Sequence, residues 1–518
     1  MQKQAIVGID IGSTNIKTVV YDAELNLLAQ AVREIAMLHP RPGWTEYDPA
    51  LWWEYVKDTS QRALRDAGVV PGAVAGIGVS SLGCCTVPLD GLGDHLYHAI
   101  PWSDQRATAE VEYLEQCCRD EIYAACGNIP TVLSATPHLM WLKKHEPDLY
   151  HRMHKYTEAS GFIVQKLTGH FLLDYSMASA LDYGFDTSSL EYDASLIEKM
   201  HLDIEKYPVP HDNRMAAGLV TEKAAQETGF VAGTPVYLGG LDIVTATVAV
   251  GAVSPGQGFC SMGSASNLMI VADSGVKSPY LTSLLHPMNP AMRLLFGSQP
   301  AIGFSFQWFS QQLCCQERQE AALLGPETSV FEVMTRKASS VPPGSGGLVY
   351  LPYLFGKFHP VFNPAATGVF FGITATTTRE QMMRAVMEGC TYNLHETIES
   401  ARALGIQLDE IVASGGPAQS DLWCQIIADV TQAKVKVLHA SGASPLGNAI
   451  LAGLGEGVWD SYETVLGKLA KSHKCYYPNP NHDVRYRNLF GLYRQLYRDL
   501  QSSYAKLGEL KASGILQG

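Results

Sequence analysis

The sequence predicts two large α/β domains, and three observations carry that reading. The chain has 518 residues, too many for one ordinary core. Its composition, 46% apolar and 17% charged with no long biased tract, is that of a globular enzyme. One pattern, strand, glycine turn, strand, occurs twice, in "GIDIGSTNIKTVVYD" (residues 8–22) and "GFCSMGSASNLMIV" (residues 258–271).

Taken in order, residues 5–10 read as a buried strand and residues 16–22 as a second, rich in Val and Thr. Between them lies the turn Gly12-Ser13-Thr14-Asn15, and residues 22–26 turn into a third strand over 27–31. A dinucleotide or P-loop phosphate site runs from strand through glycines into a helix, whereas this turn joins two strands. Its backbone N–H groups can still form a concavity for an anion. Residues 235–238 form a short strand that ends in Gly239-Gly240-Leu241-Asp242, and small and branched apolar residues then predict a helix over 243–251. The domain boundary is placed after it, giving domains 1–254 and 255–518. In the second copy, superposing Gly263-Ser264 on Gly12-Ser13 sets Ser261 opposite Asp10, so only the first copy carries a carboxylate. A second break, in the form of a loop, is expected at the Pro- and Gly-rich residues 341–347. Residues 410–414 read as a strand, Gly415-Gly416-Pro417 as a turn, and Ser420 as the cap of a helix whose Trp423, Ile426, Ile427 and Val430 share one face. The tail, 485–507, has helical spacing and is expected to pack on the second domain.

The net charge of −13 argues against a nucleic-acid or anionic-membrane partner, which needs a basic surface. Eleven cysteines, three pairs of them adjacent and none in a Cys-x-x-Cys, indicate neither a zinc ribbon nor a disulfide framework. Reduced thiols and the lack of a leader or membrane-spanning apolar run predict a cytoplasmic protein.

Asp10, at the end of a first strand beside a phosphate-cradling turn, suits a magnesium ligand, because magnesium takes hard oxygens and bridges one or two carboxylates to nucleotide phosphates. Stabilising the turn is the equally ordinary alternative. Asp242, after two glycines and before an apolar helix, suits a general base, with a helix cap as its alternative. Together they match what phosphoryl transfer to an alcohol requires: neutralised phosphates and a carboxylate that accepts the hydroxyl proton. The turn over 415–420 offers bare backbone against which a purine can lie.

With these motifs in register the chain resembles the FGGY carbohydrate kinases, in the style of the xylulokinases. "GVFFGITATTTREQMMRAVME" (residues 368–388) matches that family's C-terminal signature, and "GWTEYDPALWWE" (residues 43–54) is typical of xylulokinase-like members. The resemblance implies two actin-like, ribonuclease H-like ATPase domains, mixed sheets flanked by helices, with a cleft between them. It implies ATP and Mg2+ as cofactors, and it assigns phosphate contacts to Gly12, Ser13, Thr14, Gly263 and Ser264, and nucleotide contacts to Gly416 and Ser420. Asp242 becomes the catalytic base, also touching the sugar and the metal, with Asp10 as the metal ligand. Homodimers are common in the family.

The sugar segment departs from the pattern. Where xylulokinases carry a Met and a His that contact the sugar, this chain has Gly83 and Cys84. "PWSDQRA" resembles the neighbouring substrate segment, pointing to Trp102, Asp104 and Arg106, with an Asp104–Arg106 or helix-acid ion pair as the alternative for Arg106. His138, at a position usually held by Lys, is expected to pack. The leading expectation is ATP-dependent phosphorylation of a ketopentose. A glycerol- or erythritol-type polyol comes second, and a non-catalytic sugar sensor is the rival from another class.

Overall fold

The computed structural model describes residues 5–273, 275–438, 442–469 and 473–513. They form two compact units, the first of Met1–Val253, Val271–Leu294 and Gly442–Lys471, the second of Ser254–Ile270, Leu295–Ser441 and Ser472–Gly518. The chain first changes unit one residue before the expected 254/255 boundary, but it then returns to the first unit twice, so no single cut separates them.

In the first unit, β1 (Ala5–Ile11), β2 (Asn15–Asp22), β3 (Leu27–Glu34), β4 (Val74–Ser81), β5 (Ala216–Leu219) and β6 (Pro235–Leu241) form one mixed sheet in the order β5-β6-β4-β1-β2-β3. β1 is antiparallel to β2 and parallel to β4, and every one of its residues is buried. Such a central strand reads as a continuous apolar run because both of its faces are covered. Side chains alternate across it, so Val7, Ile9 and Ile11 enter one core cluster and Ile6 another.

Helix α1 (Pro49–Ala67) starts where Asp48 accepts a hydrogen bond from Ala50 N and Pro49 takes the first turn, and it stops at Gly68 in the left-handed region. Its buried Trp52, Val56, Thr59, Ser60 and Ala63 make the helical stripe that packs on β2 and β3. α2 (Ala159–Thr168) packs on β4 and β6, and α3 (Asp242–Val250) follows β6 directly.

A return helix, Ala443–Gly455, lies on β1, β4 and α3. It is close enough that a Cβ on Gly8 would stand 2.0 Å from the Pro445 carbonyl oxygen, and one on Gly78 2.2 Å from that of Asn448. Two strand positions without side chains therefore bring the helix back into the first unit. This is why the units are not consecutive in sequence.

Residues 100–207 of the first unit add a largely helical layer with its own core around Leu114, Leu139, Leu142 and Leu181. Within it the fully buried Asp182 accepts hydrogen bonds from the Tyr156 and Tyr192 hydroxyls. Burial pushes this carboxyl up to about 7 despite both donors. The folded chain then keeps a proton that the unfolded chain loses near pH 4, so stability should fall as pH rises from about 4 to about 7 and level off above. Asp182→Asn should flatten that slope in thermal melts taken across the window, and an unchanged slope would show that Asp182 is ionised throughout.

The second unit repeats the plan. In the second sheet, β7 (Gln257–Met262), β8 (Ser266–Asp273), β9 (Asn289–Gln299), β10 (Glu410–Gly415), β11 (Lys434–Leu438) and β12 (His473–Tyr476) run β9-β8-β7-β10-β11-β12, and the strand Thr282–His286 adds a seventh at the β9 edge. As in the first sheet, a hairpin's first strand, β7, pairs parallel with a later strand, β10. Asp10 stands opposite Ser80 in the first sheet as Ser261 stands opposite Ser414 in the second, which makes the two copies equivalent position by position.

Ser420 accepts a hydrogen bond from Trp423 N at the start of α6 (Asp421–Thr431), which follows α4 (Ile302–Leu313) and α5 (Arg379–Arg402). Trp423, Ile426, Ile427 and Val430 are all buried. The C-terminal helix, Pro480–Ala512, buries Tyr486, Phe490, Tyr493, Leu496, Tyr497 and Tyr504 against this unit.

The loop expected at residues 341–347 is present, but it separates no units. The segment is a loop inside the second unit, held where the buried Glu388 accepts hydrogen bonds from Gly344 N and Ser345 Oγ, both at 2.8 Å. Its prolines and glycines shape a turn around a carboxylate.

Candidate active site

Asp10 is the next-to-last residue of β1 and sits beside Ser80 of β4; Leu241, the last residue of β6, sits beside Ser81. Asp10 and the following Asp242 therefore stand at the carboxyl ends of parallel strands on either side of β4. In open α/β sheets this edge is where ligands bind.

On Asp10, Oδ1 accepts hydrogen bonds from Ser80 Oγ at 2.9 Å and Ser444 Oγ at 3.0 Å. None of these bonds reaches Oδ2. Ser444 comes from the return helix and also lies 3.1 Å from Thr245 Oγ1 of α3. One turn further on, Asn448 donates from Nδ2 to Ser80 Oγ at 2.7 Å and to the Ile9 carbonyl at 2.8 Å. Burial raises the Asp10 carboxyl, opposed by the two serine hydroxyls and by the charge of Lys17.

Asp242 opens α3, and its Oδ1 accepts the Ile243 N–H at 2.6 Å. Loss of water around it and then the charge of Asp10 push this carboxyl up to about 7, with Lys17 pulling the other way. Two carboxylates in one enclosed place thus repel, and one is poised to exchange a proton near neutrality.

The first-unit turn beside them is open. Ser13 and Thr14 are exposed, Gly12 N donates to the Asn15 carbonyl at 2.9 Å, and Tyr47 braces the turn by donating to the Ser13 carbonyl at 2.8 Å.

In the second unit, Gly263 N donates to the Ala265 carbonyl at 2.8 Å, and Phe304 N, in the first turn of α4, donates to the Ser264 carbonyl at 3.0 Å. The positive end of that helix dipole faces the turn. Gly416 is exposed, and a Cβ there would meet nothing within 4 Å. It leaves bare backbone beside the capping Ser420.

Models of the N-terminal and C-terminal domains of the FGGY family of carbohydrate kinases match residues 5–249 and 251–456. The chain belongs to this family. This FGGY kinase is 26% identical over 495 residues to the xylulose kinase of Bacillus subtilis, covering 95% of this chain and 96% of that one. It is 27% identical over 503 residues to the autoinducer-2 kinase of Salmonella typhimurium, covering 95% and 94%. The crystal structure of xylulose kinase from Rhodospirillum rubrum superposes with a TM-score of 0.88 at 26% identity, over 97% of this chain and 100% of that one. The fold is the two-domain actin-like one, and the activity is ATP-dependent phosphorylation of a sugar.

In this FGGY kinase the segment with Gly83 and Cys84 lies against the strand that leads to Asp242: a Cβ on Gly83 would fall 2.2 Å from Leu241 Cδ1. Cys84 has a φ of 51°, and burial followed by the charges of Glu158 and Asp182 pushes its thiol up to about 12, so it is neutral. Trp102 is 43% exposed and offers a ring face.

Asp104 and Arg106 are engaged with one another. Arg106 donates from Nε to Asp104 Oδ1 at 2.8 Å and from one terminal nitrogen to Asp104 Oδ2 at 2.9 Å and Glu46 Oε1 at 2.8 Å. Its side chain has no exposed surface and lies 3.9 Å from the Trp44 ring centroid. Asp104 also accepts Thr45 N at 2.7 Å, so the ion-pair alternative describes what the structure shows. His138 is fully buried, 3.0 Å from Thr86 Oγ1, and burial lowers it to about 4, which leaves it neutral and packed.

Ser80, Thr245, Ser444 and Asn448 escaped the sequence reading. Their signal is faint: a Ser and an Asn four apart in the otherwise small and apolar "ASPLGNAILAGLG".

Proposed function

We propose that this FGGY kinase transfers the γ-phosphoryl group of ATP to a hydroxyl of a small sugar, a ketopentose before a polyol, with Asp242 accepting the hydroxyl proton. The carrying observation is geometric: the buried Asp10 and the half-buried Asp242 stand at the carboxyl ends of parallel strands on either side of β4, near enough that the charge of Asp10 adds to desolvation in raising the Asp242 carboxyl. A group that titrates near the working pH is an effective proton acceptor.

Magnesium fits these residues. Among the described residues no cluster of three or more His, Cys, Asp or Glu could hold a metal, so a soft or fully protein-ligated ion has no place. Asp10 keeps Oδ2 outside its serine hydrogen bonds, and a hard ion that retains waters and phosphate oxygens needs only one or two carboxylates. Asp10, with Asp242, would hold it, and the bound ion would supply neutralising charge to the phosphates.

The chain's own groups do the rest. Gly12 N and Gly263 N close their turns on Asn15 and Ala265, so the N–H groups of Ser13, Thr14 and Ser264 are the ones offered to phosphate oxygens, and the bare surface at Gly416 with Ser420 takes the nucleoside. On the sugar side, Gly83, Cys84 and the exposed face of Trp102 contact the acceptor, while Asp104 and Arg106 hold that wall rigid. Relatives named xylulose kinase favour a ketopentose; the small, neutral Gly83-Cys84 pair, in place of longer polar side chains, is what keeps other acceptors in view. The eleven cysteines, none disulfide-bonded, support a reducing cytoplasm. No described helix is long and apolar enough to cross a membrane.

A coupled ADP-release assay with Mg-ATP over ketoses, aldoses and polyols tests this. One ketopentose should give the highest kcat/KM, and Asp10→Asn should lower the rate and raise the magnesium needed for half-maximal activity. ADP release indifferent to every acceptor would replace the catalytic reading with that of a sugar sensor.

A further inference from the structure

The strand that delivers Asp242 ends irregularly. The pairing of β6 with β4 slips by one residue between Leu238 and Gly240, leaving Gly239 as a bulge. Bulges re-aim the residues just beyond them, here Leu241 and Asp242.

The bulge is gripped from both sides. A Cβ on Gly239 would stand 2.0 Å from Asn448 Oδ1; one on Gly240, whose φ is +92°, would stand 2.7 Å from Asp174 Oδ1 and 2.4 Å from Ser176 Oγ. Asn213, 1% exposed, donates from Nδ2 to the Leu238 carbonyl at 3.2 Å, the Gly239 carbonyl at 3.3 Å and Asp174 Oδ1 at 3.0 Å. Asp174, with no exposed surface, also accepts Met177 N at 3.0 Å and the Ser176 hydroxyl on that same oxygen. Its Oδ2 has no hydrogen-bond partner among the described residues.

Ending a strand requires none of this. A fully buried carboxylate with three donors crowded on one oxygen costs stability, and the bulge is what those contacts hold. The bulge carbonyls gain a fixed direction from Asn213, and Asp174 fixes Asn213 in turn.

We propose that Asn213 and Asp174 are positioning residues, which clamp the Leu238–Gly240 bulge so that Asp242 opens α3 with its carboxylate at the acceptor hydroxyl. This rests on Asp242 as the base. Neither residue touches the reacting atoms. They act on turnover through geometry, where a misplacement of about 1 Å can cost on the order of 100-fold.

Asn213→Ala should lower kcat roughly 10- to 100-fold while the KM values for ATP and acceptor change less than about threefold. Asp174→Asn, which keeps the size and one acceptor oxygen, should retain kcat within about threefold, whereas Asp174→Leu should behave like Asn213→Ala. In an Asp242→Glu background, whose longer side chain has already moved the carboxylate, Asn213→Ala should cost no more than about threefold.

An undiminished cost in that background, or an unchanged kcat in Asn213→Ala itself, would overturn the proposal. Should Asn213→Ala fail to fold, the two Asp174 variants decide: equal kcat in Asn and Leu overturns it, and loss in Leu alone supports it. An Asp242→Ala enzyme with full sugar-dependent activity would instead remove Asp242 as the base, and the clamp's purpose with it, whatever the Asn213 variants do.

Discussion

Asp242→Ala is expected to lower the kcat of sugar-dependent ADP formation by about 10^2- to 10^4-fold, the usual contribution of a positioned base, while the KM for Mg-ATP rises far less, since Asp10 remains to hold the metal. The same substitution should leave the melting temperature unchanged or raise it. In the parent, a carboxyl pushed up to about 7 by enclosure and by Asp10 must ionise at a cost above neutral pH. Alanine removes that cost along with the base, the trade of stability for function seen where like charges are held together. Steady-state kinetics beside thermal melts at about pH 8 read both halves. A variant that keeps its rate would leave Asp242 as a helix-opening residue only, and one that loses rate only by unfolding would show the same drop in ATP binding.

The largest stability effect should come from Arg106→Leu. Its guanidinium has no exposed surface and pairs with Asp104 and Glu46, which are themselves buried. Removing it leaves two carboxylates without their cation, for which a loss of about 3–5 kcal/mol is typical. Arg106→Lys should not restore it, because one ammonium cannot reproduce the fork that joins Nε and a terminal nitrogen to Asp104 while reaching Glu46. Denaturant midpoints measure the loss. If Arg106→Leu instead kept parental stability and raised only the acceptor KM, Arg106 would be a sugar ligand and its partners in the cluster would be secondary.

These two residues mark what could be read from the sequence. Asp242 was legible because its setting is local: two glycines before it, an apolar helix after it. The first hairpin and Asp10 were legible for the same reason, and their likeness to residues 258–271 gave the repeated plan of the two sheets. Ser444 was not legible, because what gives it meaning is an oxygen 434 positions away. Asn448 likewise makes sense only once the Ile9 carbonyl, 439 positions away, is beside it. For Arg106, "PWSDQRA" shows an acid two residues off but not Glu46, which lies 60 positions upstream and completes the pairing. The boundary at 254/255 marks only the first change of unit; the chain's later return is written in Gly8 and Gly78, whose missing side chains look like nothing in particular until a helix rests on them.

That return helix also sets a clock. A ribosome adds about 5–20 residues per second, so roughly 20–90 s pass between the emergence of Asp10 and that of Ser444. Through that interval the nascent sheet has strands but no cover over Gly8 and Gly78, and the Asp10 carboxylate lacks one of its two serine donors. The unit that starts first in sequence thus stays incomplete through most of synthesis, and its half-built apolar face is what a chaperone would meet.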